Sequence, residues 1–418
     1  MRERFFRLVA SPWLIAAMAL LFRVAYLLYR AHLIPDEVLA SAPFENEVGN
    51  VAAALAAGKG FCCVFRQPTG PTAWVAPVYP LLVAGIFKIF GTFTLAAFYG
   101  SVLLNCCFSA LVCFPLFRIG QQVGGPPVAT LSAWLWAVFP SGIILPYAWI
   151  WDTSLSALLA ALLLLFTVKL PESFRPRDYA LYWALWSLTL LTNPSLAALL
   201  PFLLAWIFFS EAGTLASRWK RLAVTIAAIM FCCLPWTLRN YRAFQRLVPI
   251  RSNFSYEFWS GNNDLFDPNS RAVHRITRYE QAHLYATLGE TAFLDDKWQK
   301  AKTFVATHPR LYLRLCSQRI IATWFGTESP LEDFRHSDSR LARFLILWNA
   351  FSLLAMLVGL IRLALKRSPY LFPVASLPLI FPIPFYLAHT SLRHRHPSDP
   401  AVALLLAITF LGPSPVRK

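Results

Sequence analysis

The chain has 418 residues, 57% of them hydrophobic and only 14% charged, with a formal net charge of +17 and a mean hydropathy of +0.52. A soluble domain is nearer half apolar and a quarter charged, so composition excludes that class and predicts an all-α integral membrane protein. The basic residues are scattered and mostly flank apolar segments, as retention of Lys and Arg on the cytoplasmic side requires, which argues against nucleic acid as a partner and for the lipid bilayer.

Arg2, Arg4 and Arg7 before an apolar run from Pro12 imitate a secretory signal. The run is full spanning length and further spans follow, so an uncleaved first helix is expected at 12–30. About ten spans are predicted: 12–30, 94–117, 127–148, 153–169, 178–192, 194–210, 221–236, 341–361, 370–388 and 400–412. The stretch 77–90 is short for a span and carries Pro80 and Lys88. If it lies in the interface, the basic ends at Arg2–Arg7, Arg118, Lys169–Arg177, Arg218–Arg221, Arg362–Arg367 and Arg417–Lys418 share one side, as the positive-inside rule demands.

That topology puts the N-terminus in the cytoplasm and the loops 31–93, 149–152, 192–194, 237–340 and 389–399 outside. Every acidic residue except Glu3, Glu172, Asp178 and Glu211 then lies on the outer side, as does every histidine. The expected organisation is an N-terminal transmembrane module at 1–236 with the loop 31–93, a helical extracytoplasmic segment at 237–340, and C-terminal transmembrane helices at 341–418. Amphipathic patterns at 290–307 and 310–325, separated by His308-Pro309, predict a small helical layer.

Of eight cysteines, Cys106, Cys107, Cys113, Cys232 and Cys233 lie in apolar runs, where cysteine behaves as a small hydrophobe. Cys62, Cys63 and Cys316 lie outside them, and without a CxxC spacing structural zinc is not expected. The first loop carries the strongest functional signal. Glu45 and Glu47 stand just ahead of a short helical pattern from about Val51 to Ala57, which Gly58 and Gly60 end. A loop rich in Pro, Thr and Trp then returns the chain to the membrane. Carboxylates fixed on a short helix at a membrane surface suggest a catalytic loop.

The stretches ENEVGNVAAALAAGKGF and PTAWVAPVYP, then WIWDTSLSALL, PWTLRNYRAF, RSNFSYEFWSGNN and SLRHRHPSDPAVALLLA, resemble, in that order, parts of multi-spanning C-type glycosyltransferases. The likeness is to bacterial enzymes similar to protein O-mannosyltransferases and lipid A aminoarabinose transferases. The resemblance implies transfer of a sugar from a polyprenyl-phosphate donor to a lipid, glycan or protein hydroxyl, with inversion at the anomeric carbon. It also implies that an acidic residue of the first outer loop is the base. Relatives often carry Asp-Glu or a single Asp at the start of that loop; here Glu45 and Glu47 are the candidates, with Asp36-Glu37 further back.

Attack by a hydroxyl needs a base within hydrogen-bond reach. Glu47 is the first choice and Glu45 the second, the bland alternative being an acid favoured by a helix N-terminus. Asp152, at the mouth of the fourth span, would orient the acceptor or, with Glu47, bind a divalent ion, or simply cap a helix. Charge growing on the leaving phosphate suits arginine. The candidates are Arg239, Arg393, Arg395 and, inside the first span, Arg23, where snorkelling is the alternative. His394 and His396 bracket Arg395, a spacing commoner in ordinary loops than in metal sites. Trp74, Tyr79 and Trp259 are placed to bind substrate, although interfacial aromatic belts use the same residues. A surface-polysaccharide polymerase or ligase would share the donor. A transporter or lipid flippase would instead place broken helices and paired ionisable residues near the midplane.

Overall fold

The computed structural model describes residues 9–65, 68–173, 175–263 and 278–414. Among these the chain is helical, without strands; a single antiparallel bridge pairs Cys62 with Pro71. Five helical stretches are long and apolar enough to cross a bilayer: Pro12–Ala31, Leu95–Ala148, Thr153–Ser173, Leu215–Phe244 and Arg340–Leu365.

The second stretch, at 54 residues, would be about 80 Å long if straight, far beyond a hydrocarbon core of about 30 Å. It folds back instead. Gly125 adopts φ +77° and is followed by Pro126 and Pro127, a left-handed glycine and two residues without amide protons, which reverse the chain. The two arms then pack closely: a Cβ on Gly120 would come within 2.7 Å of the Ala129 Cα. Higher up, Trp136 Nε1 donates to the Ser109 carbonyl at 2.7 Å. The stretch is therefore a helical hairpin, with its turn later than the Arg118 boundary predicted for the first arm.

Each of the other predicted spans is helical, but several are short. Pro176–Thr192 has 17 residues, the run at 370–388 divides into Leu371–Leu379 and Ile383–Leu387, and Asp399–Leu411 has 13, about 20 Å of helix. Length and composition thus identify five candidate stretches, one of them the hairpin, where about ten spans are predicted. The stretch 77–90 forms the helix Val78–Phe90, packed between Glu47–Ala56 and Leu95–Leu111. The helix predicted to end at 236 continues to Phe244, where Gln245 caps it at φ +51°, so the boundary between the first two predicted regions falls inside a helix.

Beyond it lie Phe254–Gly261, Arg278–Leu288, Glu290–Thr307, Pro309–Phe325 and Pro330–His336. Two hydrophobic clusters organise these elements. One is the bundle core around Trp136, Trp186 and the buried C-terminal helix. The other joins Val48, Val51, Tyr79 and Trp74 of the first loop to Ile150, Leu155, Tyr285 and Phe293. Segments distant in sequence, 39–87, 150–159 and 285–294, thereby form one layer at one end of the bundle.

Candidate active site

The first loop is built by local capping. Asn46 Oδ1 accepts the Gly49 amide at 2.9 Å while its Nδ2 donates to the Pro43 carbonyl at 2.8 Å. The helix consequently begins at Glu47, four residues before the predicted start, and Glu47 is its first residue and not a neighbour ahead of it. At the other end the amides of Gly58 and Lys59 return to the Leu55 and Ala54 carbonyls at 3.0 and 2.9 Å, the glycine-terminated motif expected from the sequence. Glu47 is half-buried and Glu45 is exposed. A Cβ on Gly49 would overlap the Phe44 carbonyl, which is backbone and cannot yield. Gly49→Ala should therefore lower stability by about 1–3 kcal/mol, although alanine is the better helix former. Thermal unfolding of the purified protein checks this, and an unchanged or raised midpoint would contradict the close approach.

Asp152 lies immediately before the helix Thr153–Ser173 and is 7% exposed. It caps that helix: the Ser156 amide donates to its carbonyl at 2.7 Å and Ser156 Oγ to its Oδ2 at 3.1 Å. Burial pushes the carboxyl up from 3.8 to about 6, against the opposing pull of Arg251, the Ser156 hydroxyl and Arg393. A carboxylate that titrates near neutrality is suited to exchanging protons with a hydroxyl.

Around it sits a group of ionisable side chains. The Arg393 guanidinium lies 4.9 Å from the ring centroids of both Trp149 and Trp151, the residues flanking Ile150 just ahead of Asp152. Arg251 donates to Asn253, which in turn donates to Glu257 at 2.9 Å. His394 stacks on Phe385 at 4.6 Å and 7°. Burial, then Arg393 and His389, hold His394 well below the usual imidazole range, and burial also lowers His389. Both are therefore neutral at pH 7, and the Nδ1 of each is buried with no hydrogen-bond partner among the described residues.

Trp149 and Arg393 also line an open cavity of about 600 Å³ with Ile144, Leu145, Thr327 and Asp333. A second space of about 410 Å³ shares Gly326, Thr327, Asp333 and Leu392 with it and extends along Leu345 and Ile346. The combined recess is basic at Arg393, acidic at Glu328 and Asp333, and apolar along Leu345 and Ile346.

The other predicted residues have protein partners. Arg23 is fully buried and donates to Ser109 Oγ at 2.8 Å and to the Ala19, Ala137 and Trp136 carbonyls at 2.7, 3.0 and 3.2 Å. The last two are terminal carbonyls of Cys113–Ala137, where a cation is favourable. Arg239 donates to the Thr72 and Phe61 carbonyls at 2.6 and 2.7 Å and lies over Phe61 and Trp236. Arg395 is spent on Asp399, the Trp324 carbonyl and Asn349, at 3.0, 3.0 and 3.1 Å. Tyr79 donates to Asn105 at 2.9 Å from within the core. Trp74 is enclosed by Phe65, Tyr256, Tyr285 and Phe293, and Trp259 is covered by the Lys297 ammonium at 4.1 Å.

The structure thus brings Asp152 and Arg393 together and sets Glu47 on the rim of the same hydrophobic layer, through Val48. Arg23, Arg239 and Arg395 are held apart from them by their own hydrogen bonds. Among the described residues no group of three or more His, Cys, Asp or Glu side chains is placed to hold a metal ion.

Three residues escaped the sequence reading. Arg251 opens the quoted stretch RSNFSYEFW but was masked by many similar interfacial arginines. Asp399 was legible through its i,i+4 spacing from Arg395. Glu290 is buried and accepts from Thr72 Oγ1, the Ala73 amide, Ser252 Oγ and Tyr285 OH at 2.5 to 2.9 Å, clamping the first loop onto the helical layer; nothing local announced it. Compared with known proteins, the chain matches no family model and no curated protein.

Proposed function

We propose that the chain is a membrane glycosyltransferase that moves a sugar from a polyprenyl-phosphate donor to a hydroxyl acceptor at the outer face of a bacterial inner membrane, with inversion. The full reading has about ten spans, a cytoplasmic N-terminus and the layer of 31–93 and 237–340 outside. The observation that carries it is the buried Asp152, titrating near neutrality, beside an arginine that stacks on two tryptophans and lines a recess with both charged and apolar walls. The order of the resembling stretches supports the same reaction class.

In this reading the acceptor hydroxyl loses its proton to a carboxylate as its oxygen attacks the anomeric carbon, and the phosphate leaves with the bonding pair. Asp152 and Glu47 are the candidate bases. The environment favours Asp152, because a base is most effective with a pKa near the working pH. Glu47, placed first by sequence position, opens the helix Glu47–Ala56 and is half-buried. Arg393, which with Arg251 acts on Asp152, is the candidate for the leaving phosphate, where guanidinium donors offset the growing charge. The acceptor class, whether lipid, glycan or protein, follows from what the recess admits, and a divalent ion on Asp152 is compatible with the reaction.

The pH profile tests the assignment. A base must be ionised, so transfer should rise with pH through about 6 and level off above it. Initial rates between pH 5 and 8 check this; a rate that is flat across that range, or that falls as pH rises, removes Asp152 as the base. A second reading, a lipid transporter, draws on the helix break between Leu379 and Ile383, which resembles the interrupted helices of transporters.

A further inference from the structure

Cys62 and Cys63 lie in the first loop, where the chain turns back on itself: the Thr72 amide donates to the Phe61 carbonyl at 3.1 Å and Cys62 pairs with Pro71. Neighbouring side chains on an extended strand point to opposite faces, which would keep two adjacent thiols apart. Here Cys63 takes a left-handed backbone, φ +67°, uncommon for a residue other than glycine. The turn brings both sulfurs to one side, with Sγ···Sγ 2.7 Å. That is much closer than two unbonded sulfurs ordinarily rest, and within a small rotation of the roughly 2.05 Å of a disulfide bond. Both thiols are partly accessible.

We propose that Cys62 and Cys63 are a redox-modification site that closes to a vicinal disulfide, an eight-membered ring, when the loop meets an oxidising compartment. The proposal rests on the outer placement of the 31–93 loop. The oxidant is a small or protein disulfide. One cysteine thiolate attacks it, releasing one thiolate of the oxidant and leaving a mixed disulfide. The second cysteine thiolate attacks the protein sulfur of that mixed disulfide and releases the other half. Two protons leave the cysteines, and the oxidant is reduced to two thiols.

Adjacent Cα atoms are about 3.8 Å apart across a trans peptide, below the usual range for bridged cysteines, so the ring is readily reduced again. It is therefore reversible and unlike a structural crosslink. Burial and the adjacent Cys63 sulfur push the Cys62 thiol up to about 11, so uncatalysed closure is slow at neutral pH and accelerates as pH rises. The ring would lie next to Phe61, whose carbonyl receives Arg239 at 2.7 Å. Closing and opening it acts on the segment that fastens the first loop to the helical layer.

The test is peptide mass mapping after acid quenching and alkylation, applied to the full-length protein equilibrated with oxidised and reduced glutathione, and to the same protein trapped in its own cells. Lys59 and Arg66 allow trypsin to release residues 60–66 with both cysteines. The expected peptide is unalkylated and about 2 Da lighter than the dithiol in oxidising buffer and in cells, and doubly alkylated after reduction. Cys62→Ser and Cys63→Ser should each abolish that species and yield a glutathione adduct on the remaining thiol. Two alkylated thiols throughout, or pairing of either cysteine with Cys316, would overturn the ring. Closure in the purified protein without closure in cells would place the loop on the reducing side and overturn the outer placement. The readout needs no transferase activity, so its result is independent of the proposed reaction.

Discussion

Replacing Asp399 with alanine should destabilise the protein by about 3–5 kcal/mol, the cost of leaving one member of a buried ion pair uncompensated. Asp399 has no exposed surface. Its Oδ1 accepts Arg395 Nε at 3.0 Å, and its Oδ2 accepts Ser141 Oγ at 2.5 Å and contacts His396 Nδ1 at 3.0 Å. Arg395 in turn reaches the Trp324 carbonyl and Asn349. One carboxylate thereby joins the helices Pro140–Ala148, Pro309–Phe325, Arg340–Leu365 and Asp399–Leu411. Without it the guanidinium keeps its bonds to the Trp324 carbonyl and Asn349 but loses the one to Asp399, and with it the counter-charge, in a buried site. Arg395→Met should cost a similar amount, and Arg395→Met with Asp399→Leu distinctly less than the sum, because neither charge is then stranded. Unfolding in mixed micelles measures all three; a loss below about 1 kcal/mol for Asp399→Ala would mean that water reaches the pair.

Asp152→Asn should move stability and activity in opposite directions. The folded carboxyl titrates at about 6 against an ordinary 3.8, so the folded state binds the proton more tightly than the unfolded chain. Stability therefore declines as pH rises from about 4 to 6, and above 6 the fold carries the full cost of an ionised buried group. At about 1.4 kcal/mol per pH unit that cost is about 3 kcal/mol. Asparagine preserves the shape and removes the charge, so the variant should be the more stable protein at pH 7.5. If Asp152 is the base, the variant should also lose at least about a hundredfold in transfer rate. Stability held back by a group needed for chemistry is the usual mark of a functional site. Glu47→Gln is the comparison: a hundredfold loss there with near-normal transfer by Asp152→Asn would return the base to the first loop. A variant of Asp152 that is both less stable and fully active would make the residue a helix cap.

Much of the helical layout was legible because its signals are local. Glu290–Thr307 and Pro309–Phe325 begin and end almost where the amphipathic pattern and His308-Pro309 put them. Helix Glu47–Ala56 starts ahead of its apolar pattern because the Asn46 side chain caps it. Span number was harder to read, since hydropathy does not distinguish a full crossing from the 13-residue Asp399–Leu411 helix, which the protein itself surrounds. The arginines were the least legible. A basic residue beside an apolar run looks the same whether its donors meet a phosphate or a carbonyl. The partners that settle the matter are remote: Arg23 meets Ser109, 86 positions away, and Arg239 meets Thr72, 167 positions away. Asp152 was readable as a lone acid at a helix mouth, but its company of Arg251 and Arg393 required the fold.

The most direct test of the account follows a doubly labelled polyprenyl-phosphate sugar, with one label in the sugar and one in the lipid, in sealed proteoliposomes of the wild-type protein supplied with hydroxyl acceptors on the side of the 31–93 loop. A transferase separates the labels: sugar appears on the acceptor and polyprenyl phosphate accumulates in equal amount, and Asp152→Asn or Glu47→Gln suppresses the separation. If the two labels stay together and cross the bilayer as one molecule, the protein moves the lipid without cleaving it, and the glycosyltransferase reading is wrong.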